Sequence, residues 1–106
     1  MIGEGFNMND IQVGDFIKDK ENNITKVIGI LSLFKDVYLY LGEDGYQYSD
    51  NAIIKHSLYI TDLLSINDYI NGERIQDITG NYIKTDKAIH NKFWLSNNVK
   101  SIKINN

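Results

Sequence analysis

The two histidines are the first residues to consider for catalysis, because imidazole is both a general base and a metal ligand near neutral pH. His56 falls in an alternating apolar segment, where a hydrogen-bonded core histidine is the expected role. His90 follows Asp86 by four residues, a spacing that orients an imidazole on a helix. Neither has a second histidine at ligand spacing, and the chain has no cysteine. The sequence therefore predicts no catalytic residue, no metal site and no cofactor.

A group of tyrosines is the stronger candidate, because tyrosine buries a large area with little loss of side-chain freedom. Around the turn at residues 42–45, alternation places four tyrosines on one face of a hairpin, with Tyr59 nearby. The alternative is a ladder of cross-strand pairs that only stabilises the sheet. Acidic residues in the turn favour a neutral or cationic partner over nucleic acid. The predicted partner-binding residues are Tyr38, Tyr40, Tyr46, Tyr48 and Tyr59.

The basic C-terminal quarter, residues 80–106, forms a second candidate. Its net charge is +4, whereas the thirteen acidic and six basic residues before it give −7, and the two sum to the −3 of the chain. Lysines interleaved with aromatic residues suit a phosphate-bearing ligand or nucleic acid. The alternative, which we favour, is that the basic end docks on acidic residues of its own fold. The predicted ligand-binding residues are Arg74, Lys87, His90, Lys92 and Trp94, although Trp94 is expected to lie in the core.

The composition describes one small domain. The chain has 106 residues, of which 42% are hydrophobic, and this is enough for one compact core. It lacks the about 20 consecutive apolar residues of a membrane span and the basic, then apolar, start of a signal peptide. We expect a single domain over residues 1–106, with residues 1–8 as a flexible extension and no internal repeat. The expected location is the cytoplasm of a bacterial host.

Alternation and turn residues predict a mainly β, α+β fold. Strands are expected at residues 13–17 and 24–33 around a polar turn, at 37–41 and 46–48 around a second turn, and near 54–60. Residues 60–72 allow two structures. Thr61 or Asp62 can cap a helix that ends at Asn71-Gly72, or Asn71-Gly72 can turn a hairpin. Further strands are expected at 74–78, 82–84 and 99–104, and a helix at 87–95 with Ile89 and Phe93 inward.

The opening of the chain resembles a known class of small β-barrels. The run NDIQVGDFI at residues 9–17, a polar turn and then KVIGI at residues 26–30 look like the start of SH3-like barrel proteins of phages and mobile elements, which are mostly uncharacterised. Residues 58–64, LYITDLL, are similar to the Leu-Thr step and short helix that follow in those proteins. The resemblance covers about two-thirds of the chain. It implies an SH3-like curled sheet or barrel of about five to seven antiparallel strands with one or two short helices, and it favours the helix after residue 60.

Three functions fit these observations. The first is a non-enzymatic binding protein of phage or mobile-element type that occupies a host protein surface, as an anti-defence inhibitor does. The second is a small-ligand protein that sequesters a nucleotide-like molecule, and a pocket lined by aromatic residues and Lys or Arg74 would favour it. The third is a nucleic-acid-binding module that uses the basic quarter. An exposed strand edge would also permit a homodimer.

Overall fold

The computed structural model describes residues 10–105, so the expected extension at residues 1–8 lies outside the described residues. The chain, expected to be a single domain, divides into two compact units, the first ending at Ser57 and the second beginning at Leu58. Each unit carries one antiparallel five-stranded sheet, so the mainly β prediction is confirmed. The described residues form ten strands, whereas about five to seven were expected, because the chain forms two sheets and not one. No helix among the described residues is long and apolar enough to cross a membrane.

The first unit is a meander of four strands completed by a fifth. Its elements are β1 (Phe16–Asp19), β2 (Ile24–Phe34), β3 (Val37–Gly42), β4 (Gln47–Ser49), a 3₁₀ turn (Asp50–Ala52) and β5 (Ile53–Ser57). The strand order is β4-β3-β2-β1-β5. The turn between β1 and β2 forms because the Asp19 carboxylate accepts the backbone N–H groups of Glu21 and Asn23, at 2.9 and 2.8 Å. The predicted opening hairpin is thus confirmed, although its first strand begins at Phe16 and not at residue 13.

The core of the first unit lies on one side of this sheet. Alternation along β2 and β3 sends Val27 and Tyr40 inward, with Ile30 and Tyr38 packed against the cluster. The other side of the same two strands carries leucines that remain partly or largely exposed. The buried cluster consists of Ile11, Ile17, Val27, Tyr40, Tyr48 and Ile53.

The second unit has its own sheet. Its elements are a 3₁₀ turn (Ile60–Leu63), β6 (Tyr69–Ile70), β7 (Glu73–Thr79), β8 (Tyr82–Thr85), β9 (Ile89–Asn91), α1 (Lys92–Ser96) and β10 (Ile102–Lys103). The strand order is β10-β6-β7-β8-β9. The 3₁₀ turn is held to α1, because the backbone N–H of Ile60 donates to the Ser96 hydroxyl at 3.0 Å in a buried hydrogen bond.

Both helix predictions need correction. After residue 60 the helix is limited to the 3₁₀ turn, because Asn71 and Gly72, with φ of 54° and 79°, form the two-residue turn of the β6–β7 hairpin. The hairpin alternative was therefore right. The helix expected over residues 87–95 begins only at Lys92, because the Thr85 hydroxyl accepts the backbone N–H groups of Lys87 and Ala88 and holds a turn that leads into β9.

The start of α1 shows why the predicted inward face was also wrong. The Asn91 side-chain oxygen accepts the N–H groups of Phe93 and Trp94, at 2.9 and 3.1 Å, and so caps the helix at the end of β9. The helix was expected to begin at residue 87, before that strand. With this register Ile89 and Phe93 are exposed, and Leu95 is the buried apolar residue of the helix.

The two units share a turn motif, and this corrects the expectation of no internal repeat. Residues 11–17, IQVGDFI, match residues 64–70, LSINDYI, in residue character. In each copy the aspartate carboxylate accepts the N–H three residues earlier, at 3.1 Å from Gln12 to Asp15 and at 2.8 Å from Ser65 to Asp68. The residue before the aspartate has positive φ, 100° at Gly14 and 80° in the second copy.

The similarity extends to the strands that follow. The main-chain oxygen of Asp15 accepts the N–H of Val27, and that of Asp68 accepts the N–H of Ile75, at 2.8 and 2.9 Å. Both Val27 and Ile75 are fully buried and are followed by a register shift in the pairing with the next strand. Numbered within its own unit, each sheet has the strand order 4-3-2-1-5. The chain is therefore a structural repeat of one five-stranded unit.

Candidate functional site

The structure places the predicted tyrosines in different surroundings. Tyr40 is 1% exposed and Tyr48, its cross-strand partner, is also buried, so the face that carries them is the core side of the sheet. Tyr38 is half-buried against that core. Tyr46 is 71% exposed at the end of the β3–β4 turn, and Tyr59 lies in the second unit. The five tyrosines therefore do not form one surface, and Tyr46 and Tyr59 are the exposed ones.

The two buried tyrosines have a structural role that follows from their hydroxyl groups. Burial raises the pKa of the Tyr48 hydroxyl above its ordinary value, and the hydrogen bond to Asp44 at 2.5 Å raises it further. Burial also raises the pKa of the Tyr40 hydroxyl, with Asp50 as its hydrogen-bond partner. Both groups therefore stay neutral and donate hydrogen bonds within the first unit.

A cavity of about 440 Å³ lies beside Tyr46 in the first unit. Three carboxylates line it, but two of them also maintain turns: Asp19 accepts amides of the β1–β2 turn, and Asp44 accepts the Tyr46 N–H and the Tyr48 hydroxyl. The acidic character is consistent with the expected neutral or cationic partner. The lining residues are Asp19, Glu21, Asn23, Asp44, Tyr46, Gln47, Tyr48 and Ala52.

A second cavity, of about 450 Å³, lies in the second unit and is called the aromatic cavity below. The 3₁₀ turn, the β7–β8 turn and the start of α1 form its walls. The backbone N–H of Lys92 donates to the main-chain oxygen of Asn81 at 2.8 Å and so fixes α1 against the β7–β8 turn. The lining residues are Tyr59, Asp62, Gly80, Asn81, Asn91, Lys92 and Phe93.

The aromatic cavity combines two rings with one ion pair. The rings of Tyr59 and Phe93 meet edge to face, with centroids 6.5 Å apart, and Phe93 is 61% exposed. Lys92 Nζ lies 3.9 Å from Asp62 Oδ1, near the limit for an ion pair, so the ammonium can still donate to another acceptor. The cavity therefore offers apolar area together with donors and acceptors, which is the chemistry of a recognition site.

His90 belongs to a separate cluster in the same unit. Glu73 Oε1 accepts the Thr85 hydroxyl at 2.5 Å and lies 3.0 Å from His90 Nε2. The Thr85 hydrogen bond, followed by that from His90, holds the pKa of the Glu73 carboxyl below its ordinary value. The carboxylate stands between the hydroxyl and the imidazole, whereas a nucleophilic triad has the imidazole in the middle. The cluster therefore joins β7, β8 and β9 to one another.

Trp94 stacks on His90 with ring centroids 5.7 Å apart and planes 9° apart. It is 52% exposed, so the expectation that it lies in the core is wrong. The core position of α1 is taken by Leu95, which follows Trp94 in the helix. Trp94 and His90 form an aromatic surface next to the Glu73 carboxylate and outside the lining of the aromatic cavity.

The other predicted ligand residues are dispersed over the second unit. The Arg74 guanidinium donates to the Asn67 side chain at 3.0 Å, in the turn before β6. Lys87 is exposed, and its charge is the smallest of the influences that lower the pKa of Glu73. Lys92 alone of the five lines the aromatic cavity, where its Nζ lies 3.9 Å from the Asp62 carboxylate.

Asn81 and Asn91 line the aromatic cavity but were not predicted as site residues, and Phe93, which also lines it, was expected to point inward. Asn91 before Lys-Phe-Trp-Leu is a helix N-cap signal, and this would have moved the helix start and exposed Phe93. No sequence signal brings Asn81 to Lys92, because that contact depends on the sheet. Comparison of the chain with protein-family models, with curated proteins and with solved structures found no match.

Proposed function

We propose that the protein is a non-enzymatic binding protein of phage or mobile-element type, which occupies a surface of a host protein in the bacterial cytoplasm, as an anti-defence inhibitor does. The observation that carries this proposal is the exposed aromatic pair of Tyr59 and Phe93 at the aromatic cavity. Rings left in water at a concave site are typical anchors of protein interfaces.

The free energy expected from covering the two rings supports a protein segment as the occupant of the aromatic cavity. Covering about 150 Å² of the Tyr59 and Phe93 rings is worth about 4 kcal/mol at about 25 cal/mol per Å². Association costs at least as much in lost freedom of motion, so the cavity would serve as the centre of a wider contact. Its rim suits such a contact, because Lys92, Asp62 and the Asn81 amide can bond the peptide groups of an extended segment.

The proposed fold of each unit is an SH3-like curled sheet. The strand order 4-3-2-1-5 and a short helical turn before the fifth strand, at Asp50–Ala52 and at Lys92–Ser96, support it. The proposed relationship to phage and mobile-element barrels rests on residues 9–17, 26–30 and 58–64, and the IQVGDFI part of the first segment has a second copy in LSINDYI. Under this proposal the chain is a pair of barrels of which the second carries the recognition site.

A second candidate function is sequestration of a nucleotide-like ligand in the same cavity. Two aromatic rings and a lysine at one cavity favour it, since the rings can stack on a base and Lys92 can meet a phosphate. The two candidate functions predict different effects when residues of the cavity are substituted. A nucleotide depends strongly on the Lys92 charge, whereas a protein segment depends mainly on the rings.

The test uses the full chain immobilised and exposed to a bacterial lysate, with mass spectrometry of what is retained. Phe93→Ala is expected to lose a stoichiometric protein partner that wild type retains, and the purified partner should bind at least about tenfold more weakly. Tyr82→Ala is the matched control, because Tyr82 is 56% exposed in the same unit and outside the cavity. Recovery of no stoichiometric protein would contradict the proposal. ATP binding in calorimetry that disappears in Lys92→Gln would favour the second candidate.

A further inference from the structure

The side of β2 and β3 that faces away from the core carries an exposed apolar surface, called the outer β2–β3 face below. Leu31 lies directly opposite Leu39, and the neighbouring pair Ile30 and Tyr40 points to the core. A register shift before Phe34 brings it opposite Val37 at the tip of the hairpin. Phe34 is 74% exposed, and the other side chains of the face are partly or largely exposed. The face consists of Leu31, Leu33, Phe34, Val37, Leu39 and Leu41.

The second unit shows that the fold does not require apolar residues at these positions. The two sheets can be aligned at the register shift that follows Val27 in the first unit and Ile75 in the second. In this alignment the pair Gly29 and Leu41 corresponds to Asp77 and Lys84. The next outer pair, Leu31 and Leu39, corresponds to Thr79 and Tyr82. The inner pair stays apolar in both units, as Ile30 and Tyr40 and as Ile78 and Ile83. The same sheet position thus tolerates polar outer residues, and only the first unit has an extended apolar face.

We propose that the outer β2–β3 face pairs with the same face of a second copy of this chain. A two-fold contact places each surface on itself, so a charged face would bring like charges together. None of the six residues of this face is charged, although the chain carries a net charge of −3. At the tip, Lys35 and Asp36 supply one charge of each sign. A neutral face on an acidic chain suits a second copy better than a partner selected by opposite charge.

The area agrees with a weak dimer. The four most exposed side chains of the face, which are 44% to 74% exposed, leave about 400 Å² of apolar surface in solvent at a full side-chain area of about 150–200 Å² each. Interfaces as a whole are about 57% apolar, so the whole contact would cover about 700 Å² per copy. Stable interfaces of standard size cover about 800 Å² per partner. The contact therefore lies towards the lower end of the size range of stable interfaces, and we expect the dimer at micromolar concentrations of the chain.

The experiment is sedimentation velocity of the full chain over a series of concentrations from low to high micromolar. Wild type is expected to shift from the monomer to the dimer mass as its concentration rises. The double variant Leu31→Thr with Phe34→Ser is expected to stay monomeric, or to dimerise at least about tenfold more weakly. Leu31→Thr introduces the residue of the equivalent position in the second unit, so the sheet should tolerate it. Circular dichroism and urea unfolding verify that the variant is folded.

The matched control is Ile54→Thr, which removes a 51% exposed apolar side chain from β5, at the other edge of the same sheet. It is expected to dimerise like wild type. A wild-type chain that stays monomeric over the whole series overturns the proposal, whether or not the face captures a different protein. A dimer that the double variant leaves unchanged, or that Ile54→Thr weakens equally, also overturns it.

Discussion

Replacing the aspartate of the repeated turn should cost far more in the second unit than in the first. Asp68 is almost fully buried, and its carboxylate accepts two backbone N–H groups, that of Ser65 at 2.8 Å and that of Asn105 at 2.9 Å. Asp15 is less buried and accepts one, that of Gln12 at 3.1 Å. It also lies 3.5 Å from Nδ1 of the half-buried His56. The two sites share a backbone conformation and differ in the number of hydrogen bonds.

A hydrogen bond to a charged acceptor contributes about 1.5–3 kcal/mol, so Asp68→Ala is expected to lower the free energy of unfolding by about 3 kcal/mol. Asp15→Ala loses one longer, solvent-exposed bond and the 3.5 Å contact with His56, and about 1 kcal/mol is expected. The expected difference of about 2 kcal/mol is larger than the usual error of a denaturant extrapolation. Asp68→Ala should also release the chain after β10, because the Asn105 N–H loses its acceptor.

Urea unfolding measures both variants. Fluorescence of Trp94, the single tryptophan, follows the second unit, and far-UV circular dichroism follows the whole chain. Hydrogen exchange at the Asn105 amide should become faster in Asp68→Ala and stay unchanged in Asp15→Ala. If the two variants have equal free energies of unfolding, the hydrogen bonds do not carry the stability of this turn, and the reasoning fails.

Three further changes have expected outcomes. Thr61→Val should raise the free energy of unfolding by about 1 kcal/mol, because the buried Thr61 hydroxyl oxygen has no hydrogen-bond partner among the described residues. Gly42→Ala should lower it by about 2 kcal/mol, because a Cβ at Gly42 would clash with the Asp44 carboxylate and would lie 2.8 Å from Thr25 Cγ2 and 3.0 Å from the Tyr48 ring. Glu73→Gln should remove the part of the acid sensitivity that Glu73 contributes, because the lowered pKa of its carboxyl gives a stabilisation that is present above the ordinary glutamate pKa and is lost as the pH falls through the lowered value.

The same urea unfolding assay checks all three variants, and for Glu73→Gln both the variant and wild type are measured at several pH values. A loss of stability in Thr61→Val would mean that its hydroxyl has a partner such as water. An unchanged Gly42→Ala would mean that the Thr25 and Tyr48 side chains move aside at no cost. For Glu73→Gln, a stability difference from wild type that is independent of pH would show that the carboxylate does not titrate differently in the folded state.

The strands of the first unit were predictable because their turns are local. Asp19 with its two amide donors and the Gly42–Gly45 sequence both act within a few residues. The hairpin at Asn71-Gly72 carries an equally local signal, whereas the helix prediction depends on the resemblance of residues 58–64 to the Leu-Thr step and short helix of SH3-like barrel proteins. The structure has the hairpin that the Asn-Gly turn sequence predicts and not the helix that the resemblance implies.

The repeat and the candidate site were harder to predict, for physical reasons. IQVGDFI and LSINDYI share two identical residues, Asp and Ile, because the turn requires only apolar character, a residue that accepts positive φ, and the aspartate. Tyr59, Asn81 and Phe93 lie far apart in sequence and meet only when α1 docks on the β7–β8 turn. Trp94 was expected to be buried from its residue type, but the register set by the Asn91 cap exposed it.

The hairpins between the second and third strands differ in length between the two units. Residues 32–38 of the first unit stand where the second unit has only Gly80 and Asn81. The framework therefore accepts chains of different length at this point, and in the second unit the same point forms a wall of the aromatic cavity. An insertion or replacement there would change what the cavity admits, while the buried residues of the adjoining strands, Ile75 and Ile83, stay the same. Specificity can thus evolve, or be engineered, independently of the scaffold.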